Sequence, residues 1–491
     1  MARPPTLSQA LALLALLALP GAAAHAEYAG SEPPQGARLA AAPEWVEVTL
    51  SERVDSAGTG LEVVDAAGDA VHEGDTTLVN GDRPTLRVAL RPGLADGAYE
   101  VRWHAFSYDT HRTSGSFGFA VGPYEPPAAT ANDAGQVRLG EVLARVALYA
   151  GLALALGAAA FHAVVGRRSG LEAAPFGRLA VLGALLHAFG ASLLLAATRS
   201  GTGLGWDDFL ASDVGRLLVE RAILALAALL LAAAWLWPRP RTRFGLPLVA
   251  LMLTSAALGS ARLGHASRHG VAGVALDLLH LLAAATWLGG LACLALVARR
   301  PERFGATPES LRPAGLRFST LAMVAVGLVV LTGVATSLLI LGTTAWKDPA
   351  ALLGSRYGQA LAGKVVLLGA MLALATVNRH VFLAEPQASG WKASLQRSMA
   401  RRWPDSRPLA GGARPATFGA FVATEASVGF VVLLLAGVLT SVAPPIGATP
   451  EPGLFATVDG DHFHVEIRLD PVPTAGDPSD LRFTVRDLER G

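Results

Sequence analysis

Eight long apolar stretches between residues 138 and 443 constrain the fold of this chain more than any other feature. Each is close to the roughly 20 residues that an α-helix needs to cross a bilayer. With 52% hydrophobic and 16% charged residues, the chain is too apolar for a single soluble protein. We therefore predict a multidomain membrane protein with a transmembrane bundle of eight helices, near residues 138–164, 175–199, 213–237, 244–263, 270–297, 315–342, 357–381 and 417–442.

Basic residues are distributed unevenly among the connections between these stretches. The connections after the first, third, fifth and seventh stretches are rich in arginine, whereas the alternate connections hold few basic residues. The positive-inside rule makes the arginine-rich connections cytoplasmic, so both ends of the bundle face outward. We expect a multi-pass protein of the bacterial inner membrane, surrounded by lipid, with its N-terminal and C-terminal segments on the periplasmic side.

The first 24 residues have the pattern of a secretory signal peptide. Arg3 precedes an apolar run from Leu11 to Leu19, and Ala22-x-Ala24 is a small-residue cleavage pattern. Cleavage there makes His25 the first residue of the mature protein. Ala24-His25-Ala26 fits the same pattern, and cleavage before Glu27 would remove His25.

Residues 25–122 alternate apolar and polar side chains in short runs separated by turns rich in Gly, Asp and Pro. This pattern predicts an immunoglobulin-like β-sandwich. Residues 123–137 are interpreted as a linker, and 138–445 as the membrane domain. Residues 446–491 contain two runs with strand character, and we expect a periplasmic β segment there. This segment is too short to bury a core alone, so either the chain stops within a domain or the tail packs on a neighbour.

Several classes of protein are disfavoured by the sequence. A net charge of +1 gives no reason to expect a nucleic-acid partner. Cys293 is the single cysteine, so no disulfide can form within one chain. We find no phosphate-binding loop of an ATP-driven pump and no constellation that requires an enzyme.

Three residues of the N-terminal segment form a candidate metal site. The free amine and imidazole of a mature N-terminal His25 can chelate one ion, and Asp109 and His111 are alternate residues of a predicted strand, which share one face. A donor set of nitrogen and oxygen suits Cu(II). The alternative is a surface pair of histidines without a ligand role. In the C-terminal segment, His462 and His464 also share a strand face. The two interpretations are an auxiliary copper site and an ordinary exposed face.

Ionisable residues within the fifth apolar stretch are candidates for function because their burial in a bilayer is costly. Asp277 and His280 share a helical face, so the carboxylate is placed to accept a hydrogen bond from the imidazole. His265 and His269 precede them near the outer surface, so that copper can pass inward between histidines at descending depths. The alternative is that the outer histidines are solvated and His280 pairs helices. Glu425 is a further candidate in the eighth stretch.

The N-terminal segment resembles the CopC family of periplasmic copper-binding proteins. The matching features are Ser31-Glu-Pro-Pro34, Val48-Thr-Leu-Ser-Glu52 and Asp109-x-His111-x-x-x-Gly115-x-Phe117. The resemblance implies a cupredoxin-like β-sandwich over about 25–122, with Cu(II) bound by His25, Asp109 and His111. Thr110 stands where the family pattern leads us to expect glycine. Some members also have a methionine-rich Cu(I) site, which we do not expect here because residues 25–122 contain no methionine.

The membrane domain resembles the CopD family of copper-resistance proteins. The features that carry this resemblance are Gly264-His265-Ala266, Asp277-Leu-Leu-His280, Trp287-x-Gly289-Gly290, Tyr357 with Lys364, Asn378-Arg379, and Glu425 with Pro444-Pro445. The resemblance implies movement of copper across the inner membrane, and fusions of the two families are a known arrangement.

We therefore expect capture of Cu(II) outside, followed by passage of copper through the bundle, with roles in import, homeostasis and resistance. Periplasmic copper chaperones are candidate partners, and the sequence does not determine the oligomeric state. One alternative is a membrane-anchored protein that sequesters copper without transport. Another is a redox protein in which two histidines, such as His187 and His280, ligate a b-type haem.

Overall fold

A computed structural model describes the chain in two compact units. The described residues are 28–50, 53–80, 84–108, 110, 112–129, 139–236, 245–342, 346–347, 349–384, 390–403, 408–409, 416–442, 454–459, 463–470 and 480–487. The segment predicted as a signal peptide lies outside these residues.

The N-terminal segment is a β-sandwich of two four-stranded sheets, in the orders β1-β3-β6-β5 and β2-β8-β7-β4. β7 and β8 form a long antiparallel pair in which Gly97 faces Val121 and Phe106 faces Arg112. The strands are Tyr28–Glu32 (β1), Arg38–Leu39 (β2), Trp45–Leu50 (β3), Val54–Val64 (β4), His72–Asn80 (β5), Pro84–Leu90 (β6), Gly97–Ser107 (β7) and Arg112–Val121 (β8).

Alternation along the strands builds the core of this sandwich. In β3, Val46, Val48 and Leu50 are fully buried, while the residues between them are more exposed. Val101 of β7 and Phe119 of β8 join the same core from the second sheet. Each sheet therefore has one apolar face, and the two faces bury each other, as the period of two predicts.

Helices follow the β-sandwich, and seven of those that the structure describes are long and apolar enough to span a membrane. The predicted fourth span corresponds to α5, a helix of 18 residues, of which Val249–Arg262 forms a shorter apolar stretch. The helices are Leu139–Phe161 (α1), Ala173–Thr202 (α2), Trp206–Ala211 (α3), Asp213–Leu236 (α4), Gly245–Arg262 (α5), Gly270–Arg299 (α6), Pro308–Leu341 (α7), Pro349–Gly354 (α8), Arg356–Val377 (α9), Gly390–Arg402 (α10) and Ala416–Leu439 (α11).

Glycines allow α1 to pack very closely against α2 and α6. A Cβ atom on Gly289 of α6 would lie 1.7 Å from the carbonyl oxygen of Ala153, and one on Gly157 of α1 would lie 2.4 Å from Gly289. On the α2 side, a Cβ on Gly183 would lie 2.4 Å from the backbone nitrogen of Ala155. Close backbone approach at small residues is a common way for helices to associate in membranes. It makes α1 the central helix of this packing.

The C-terminal segment contains a three-stranded antiparallel sheet in the order β11-β10-β9. β10 (Phe463–Asp470) lies between β9 (Leu454–Asp459) and β11 (Asp480–Asp487). The two runs with strand character correspond to β10 and β11. The sequence analysis did not identify β9.

Candidate metal sites

The connection between β7 and β8 contains two of the three residues predicted to bind Cu(II). β7 ends at Ser107 and β8 begins at Arg112. Asp109 and His111 of this connection lie outside the described residues, and so does His25. Their assignment as ligands stays a prediction, and the structure describes the residues that flank two of them.

The flanking residues are held by several hydrogen bonds. The amide of Thr110 donates to the carbonyl of Ser107 at 3.0 Å, and the amide of Tyr108 donates to the carbonyl of Arg53 at 3.1 Å. The Arg53 guanidinium lies 4.0 Å from the centre of the Tyr108 ring and donates a 2.9 Å hydrogen bond to its hydroxyl. The start of the connection is therefore fixed to the beginning of β4.

Thr110, between the two predicted ligands, has a left-handed backbone. Its φ is +78°, and its side chain is 6% exposed. This region is unfavourable for a β-branched residue, because its Cβ crowds the backbone, and is open to glycine. The glycine expected from the family resemblance matches this conformation. The chain therefore stores backbone strain beside the candidate ligands.

A separate cleft of about 750 Å³ lies on the β-sandwich and is lined by His72, His104, Glu62 and Arg102, among others. His104 packs over Gly60, where a Cβ would lie 2.7 Å from the imidazole Cε1. Burial and the charge of Arg112 lower the pKa of His104 below its usual range. No group of three His, Cys, Asp or Glu side chains close enough to hold a metal occurs among the described residues, here or in the bundle.

Within the bundle, Asp277 lies in a polar cluster that also contains His265, His280 and Lys364; we call it the Asp277 cluster. The charges of His265 and Lys364 act on the Asp277 carboxylate, and Lys364 also acts on His280. Gly264 permits this arrangement, because a Cβ there would lie 2.8 Å from Asp277 Oδ2. The cluster joins residues of α6 and α9 with the 3₁₀ turn His265–His269.

The orientation of His280 is fixed by α7. Its Nδ1 lies 3.0 Å from the Thr332 hydroxyl oxygen, and that hydroxyl donates to the Leu328 carbonyl at 2.6 Å. Because the hydroxyl proton is already used, Nδ1–H must be the donor to Thr332. The lone pair of the neutral imidazole is then on Nε2, the form that binds a metal. We expected Asp277, on the same helix, to accept this hydrogen bond from His280. In the structure the acceptor is instead Thr332, on the neighbouring helix α7.

The other predicted residues of the bundle are at different places. His269 is exposed and precedes the first residue of α6. Glu425 on α11 is 4% exposed and accepts a 2.7 Å hydrogen bond from the Asn378 amide at the end of α9. The distance along α9 from Lys364 to Asn378 is roughly 20 Å, at 1.5 Å per residue. These residues are thus spread along the bundle and do not converge on one point.

Sequence reasoning missed one buried ion pair. On α1, Arg145 Nη1 lies 3.3 Å from Glu141 Oε2. Arg145 Nη1 also donates a 2.9 Å hydrogen bond to the Ser441 hydroxyl. A glutamate four residues before an arginine in an apolar helix is a signal that could have identified this pair. By contrast, Glu220 of α4 is exposed, and its carboxylate lies 3.7 Å from the Arg262 guanidinium.

The structure describes one of the two histidines of the predicted auxiliary site in the C-terminal sheet. His464 lies on β10, where its backbone is opposite Arg486 of β11 and Asp459 of β9. His462 lies outside the described residues.

Comparison with known families now adds to these observations. Residues 28–122 match the CopC domain, and residues 313–439 match copper resistance protein D, CopD. The chain is also 30% identical, over 105 residues, to copper resistance protein C of Pseudomonas syringae pv. tomato, and it covers 82% of that protein. The chain belongs to the CopC family and also carries a CopD domain. The family expectations and the overall architecture drawn from the sequence are confirmed.

A second relative matches both parts of this CopC–CopD chain. The copper transport protein CutJ of Bacillus subtilis is 27% identical over 496 residues, which cover 96% of this chain and 84% of CutJ. The crystal structure of CopC from Methylosinus trichosporium OB3b is 25% identical, with a TM-score of 0.18, and covers 22% of this chain and all of that one.

The CopC match spans the β-sandwich, including the Ser107–Arg112 connection. The CopD match begins in α7 and includes Thr332, Lys364 and Glu425. His265, Asp277 and His280 precede the matched range, so their assignment depends on the contacts that they make with residues inside it.

Proposed function

We propose that this chain binds Cu(II) on the outer side of the bacterial inner membrane and moves copper through its helical bundle. The matches to the CopC domain and to CopD support a role in copper handling. CutJ, which matches nearly the whole chain, is named a copper transport protein. Those relatives are named for copper transport or resistance and not for catalysis, which agrees with the expectation that the chain is not an enzyme.

In this proposal, copper is first captured by His25, Asp109 and His111. The strained connection of the β-sandwich supports this role, because Thr110 between two of these residues is held by the backbone of Ser107. Strain tends to occur where a local geometry serves a function. An amine, two imidazoles and a carboxylate match the preference of Cu(II) for nitrogen and oxygen donors.

The observation that carries the transport step is the state of His280. Its Nδ1–H donates to Thr332, which places the lone pair of a neutral imidazole on Nε2, the nitrogen that we assign to copper. Asp277 is one turn away on the same helix, and its carboxylate can offset the charge of a passing cation. A histidine orientated in this way, within an apolar helix of 30 residues, is difficult to explain as packing alone.

A route toward the opposite side of the bundle can be followed along α9. Met371 is fully buried, and a Cβ on Gly429 of α11 would lie 3.2 Å from its Cε. Lys364, Met371 and Asn378 recur every seven residues and therefore share one helical face. This face extends from the Asp277 cluster past a soft thioether to the Asn378–Glu425 pair. With arginine-rich connections cytoplasmic, the direction along this face is inward.

The test is copper accumulation in cells that express the intact chain. We expect wild type to raise cytoplasmic copper, and His111→Ala and His280→Ala each to remove most of the increase. His72→Ala and His162→Ala are matched controls, because both are histidines of the same two parts to which we assign no copper role. Thr332→Ser should retain transport and Thr332→Val should reduce it, because only a hydroxyl fixes the His280 proton on Nδ1.

The second candidate function is sequestration by a membrane-anchored CopC domain. It predicts that cytoplasmic copper stays unchanged in every strain, while His111→Ala alone lowers the copper held outside. That result would reject the transport step and retain the outer site.

A further inference from the structure

Arg221 of α4 is a buried cation for which the described part of the chain provides no carboxylate partner. Among the bundle residues that the structure describes, four charged side chains are buried: Glu141, Arg145, Arg221 and Glu425. Glu141 and Arg145 pair with each other, and Glu425 bonds to an amide. Arg221 is 3% exposed, and its Nε and Nη2 atoms have no hydrogen-bond partner in the described part of the chain. A buried charge without a partner is strongly unfavourable.

The described residues that act on Arg221 do not supply the missing negative charge. Arg145 carries a second positive charge that acts on Arg221, and the other group that acts on it is the neutral phenol of Tyr149. Tyr149 forms a hydrogen bond with Thr440. Because Glu141 balances the charge of Arg145, Arg221 accounts for one positive charge in excess between α1 and α4.

A small residue of α5 packs against the side chain of Arg221. On α5, a Cβ on Gly259 would lie 3.3 Å from Arg221 Cβ, so the two helices are close at this point. The next residue, Ser260, has a buried hydroxyl without a hydrogen-bond partner among the described residues. Nε–H and the adjacent Nη2–H form one edge of the guanidinium, with two parallel donors, which is the geometry that binds anions.

We propose that Arg221 anchors a site for a small monovalent anion, such as chloride or formate, inside the bundle. One unpaired positive charge requires one negative charge. Close packing against Gly259 favours a small ligand. The anion would neutralise the positive charge of Arg221. The proposal does not rest on the copper route proposed above, although Tyr149 beside Arg221 also interacts with the charge of Asp277.

The experiment uses the full chain, purified in detergent and free of copper, with thermal unfolding as the readout. Chloride or formate is titrated against gluconate, which is too large for the site, at constant ionic strength. We expect saturable stabilisation of the wild type: at ten times its Kd, the anion should raise the folding equilibrium constant about 11-fold. Chloride and formate should compete, because both would occupy the same guanidinium edge.

Arg221→Met should abolish the anion effect, whereas Arg216→Met should retain it. Arg216 is a matched control because it lies on the same helix but is exposed and paired with Asp213. If Arg221→Met does not fold, broadening of the ³⁵Cl resonance by the wild type, and its reversal by formate, tests the site directly. The proposal is overturned if the wild type shows no saturable, anion-specific effect, as expected if only water solvates Arg221. Retention of the effect in Arg221→Met would also overturn it.

Discussion

The backbone at Thr110 leads to a prediction in which the usual ranking of alanine and glycine is reversed. In an extended strand, alanine is more stabilising than glycine by about 0.5–1 kcal/mol, because glycine loses more conformational freedom on folding. At a φ of +78°, a residue with a Cβ is disfavoured by about 1–2 kcal/mol relative to glycine. The difference between these terms makes Thr110→Gly more stable than Thr110→Ala by about 0.5–1 kcal/mol.

Comparison of the two variants isolates the backbone contribution, because both remove the same buried hydroxyl and methyl group. Thr113 of β8 is the matched control: it is also a buried threonine but lies in a regular strand. There, Thr113→Ala should be more stable than Thr113→Gly by about 0.5–1 kcal/mol.

The measurement is urea unfolding of a protein that consists of residues 25–129. Such a segment is expected to fold alone, because a relative that consists largely of this domain is 82% covered by the match. Equal stabilities of Thr110→Ala and Thr110→Gly, or a more stable alanine variant, would refute the argument from strain.

Three further predictions concern the bundle and the cleft. Glu141→Gln should destabilise the chain by about 3–5 kcal/mol, because it removes the carboxylate charge beside the buried Arg145, and addition of Arg145→Met should restore much of the loss; thermal unfolding in detergent tests both. Gly289→Ala should disrupt the helix packing, whereas Gly369→Ala, with nothing within 4 Å of the new Cβ, should be tolerated, as measured by the yield of folded protein. Because the folded state lowers the pKa of His104, its neutral form is favoured. The β-sandwich should therefore lose stability as pH falls below about 6.5, and His104→Gln should weaken this dependence in unfolding experiments at several pH values.

These predictions can each fail in a specific way. A double variant of Glu141 and Arg145 as unstable as Glu141→Gln would mean that the lost pairing is not the cause. Folded protein in equal yield from the two glycine variants would contradict the close crossing at Gly289. An unchanged pH profile in His104→Gln would assign the acid sensitivity to other groups.

The helices were predictable from the sequence because hydropathy over about 20 residues is a strong local signal. Most of the β-sandwich was also visible in the alternation of strands such as Trp45–Leu50. The contacts of His280 were not predictable. Its spacing from Asp277 suggests a bond within one helix, but the hydrogen bond is to Thr332, 52 residues later in the chain. Tertiary contacts of this kind leave no periodic signal in a single sequence.

Buried charges show the same limit. The pairing of Glu141 with Arg145 is local, and its four-residue spacing was available in the sequence. The isolation of Arg221 depends on which helices surround it, and periodicity does not contain that information. Threonine itself gives no sign of the left-handed backbone at Thr110, because it is an unusual residue for that conformation. The glycine expected there from the family resemblance was the available signal.

The contact between the backbones of α1 and α6 limits how the bundle can move. Because Gly289 lies directly against Ala153 and Gly157, no side-chain layer separates the two helices at this crossing, and we expect them to move together, with Asp277 and His280 on α6. Opening of a passage must then come from helices that are less enclosed. α9 is such a helix: only 11% of its apolar stretch is buried within the protein, against 67% for the span that contains α1. On the proposed transport route, a copper ion would thus meet the candidate ligands Asp277 and His280 on the less mobile side and Lys364 and Met371, on the more mobile helix, on the other.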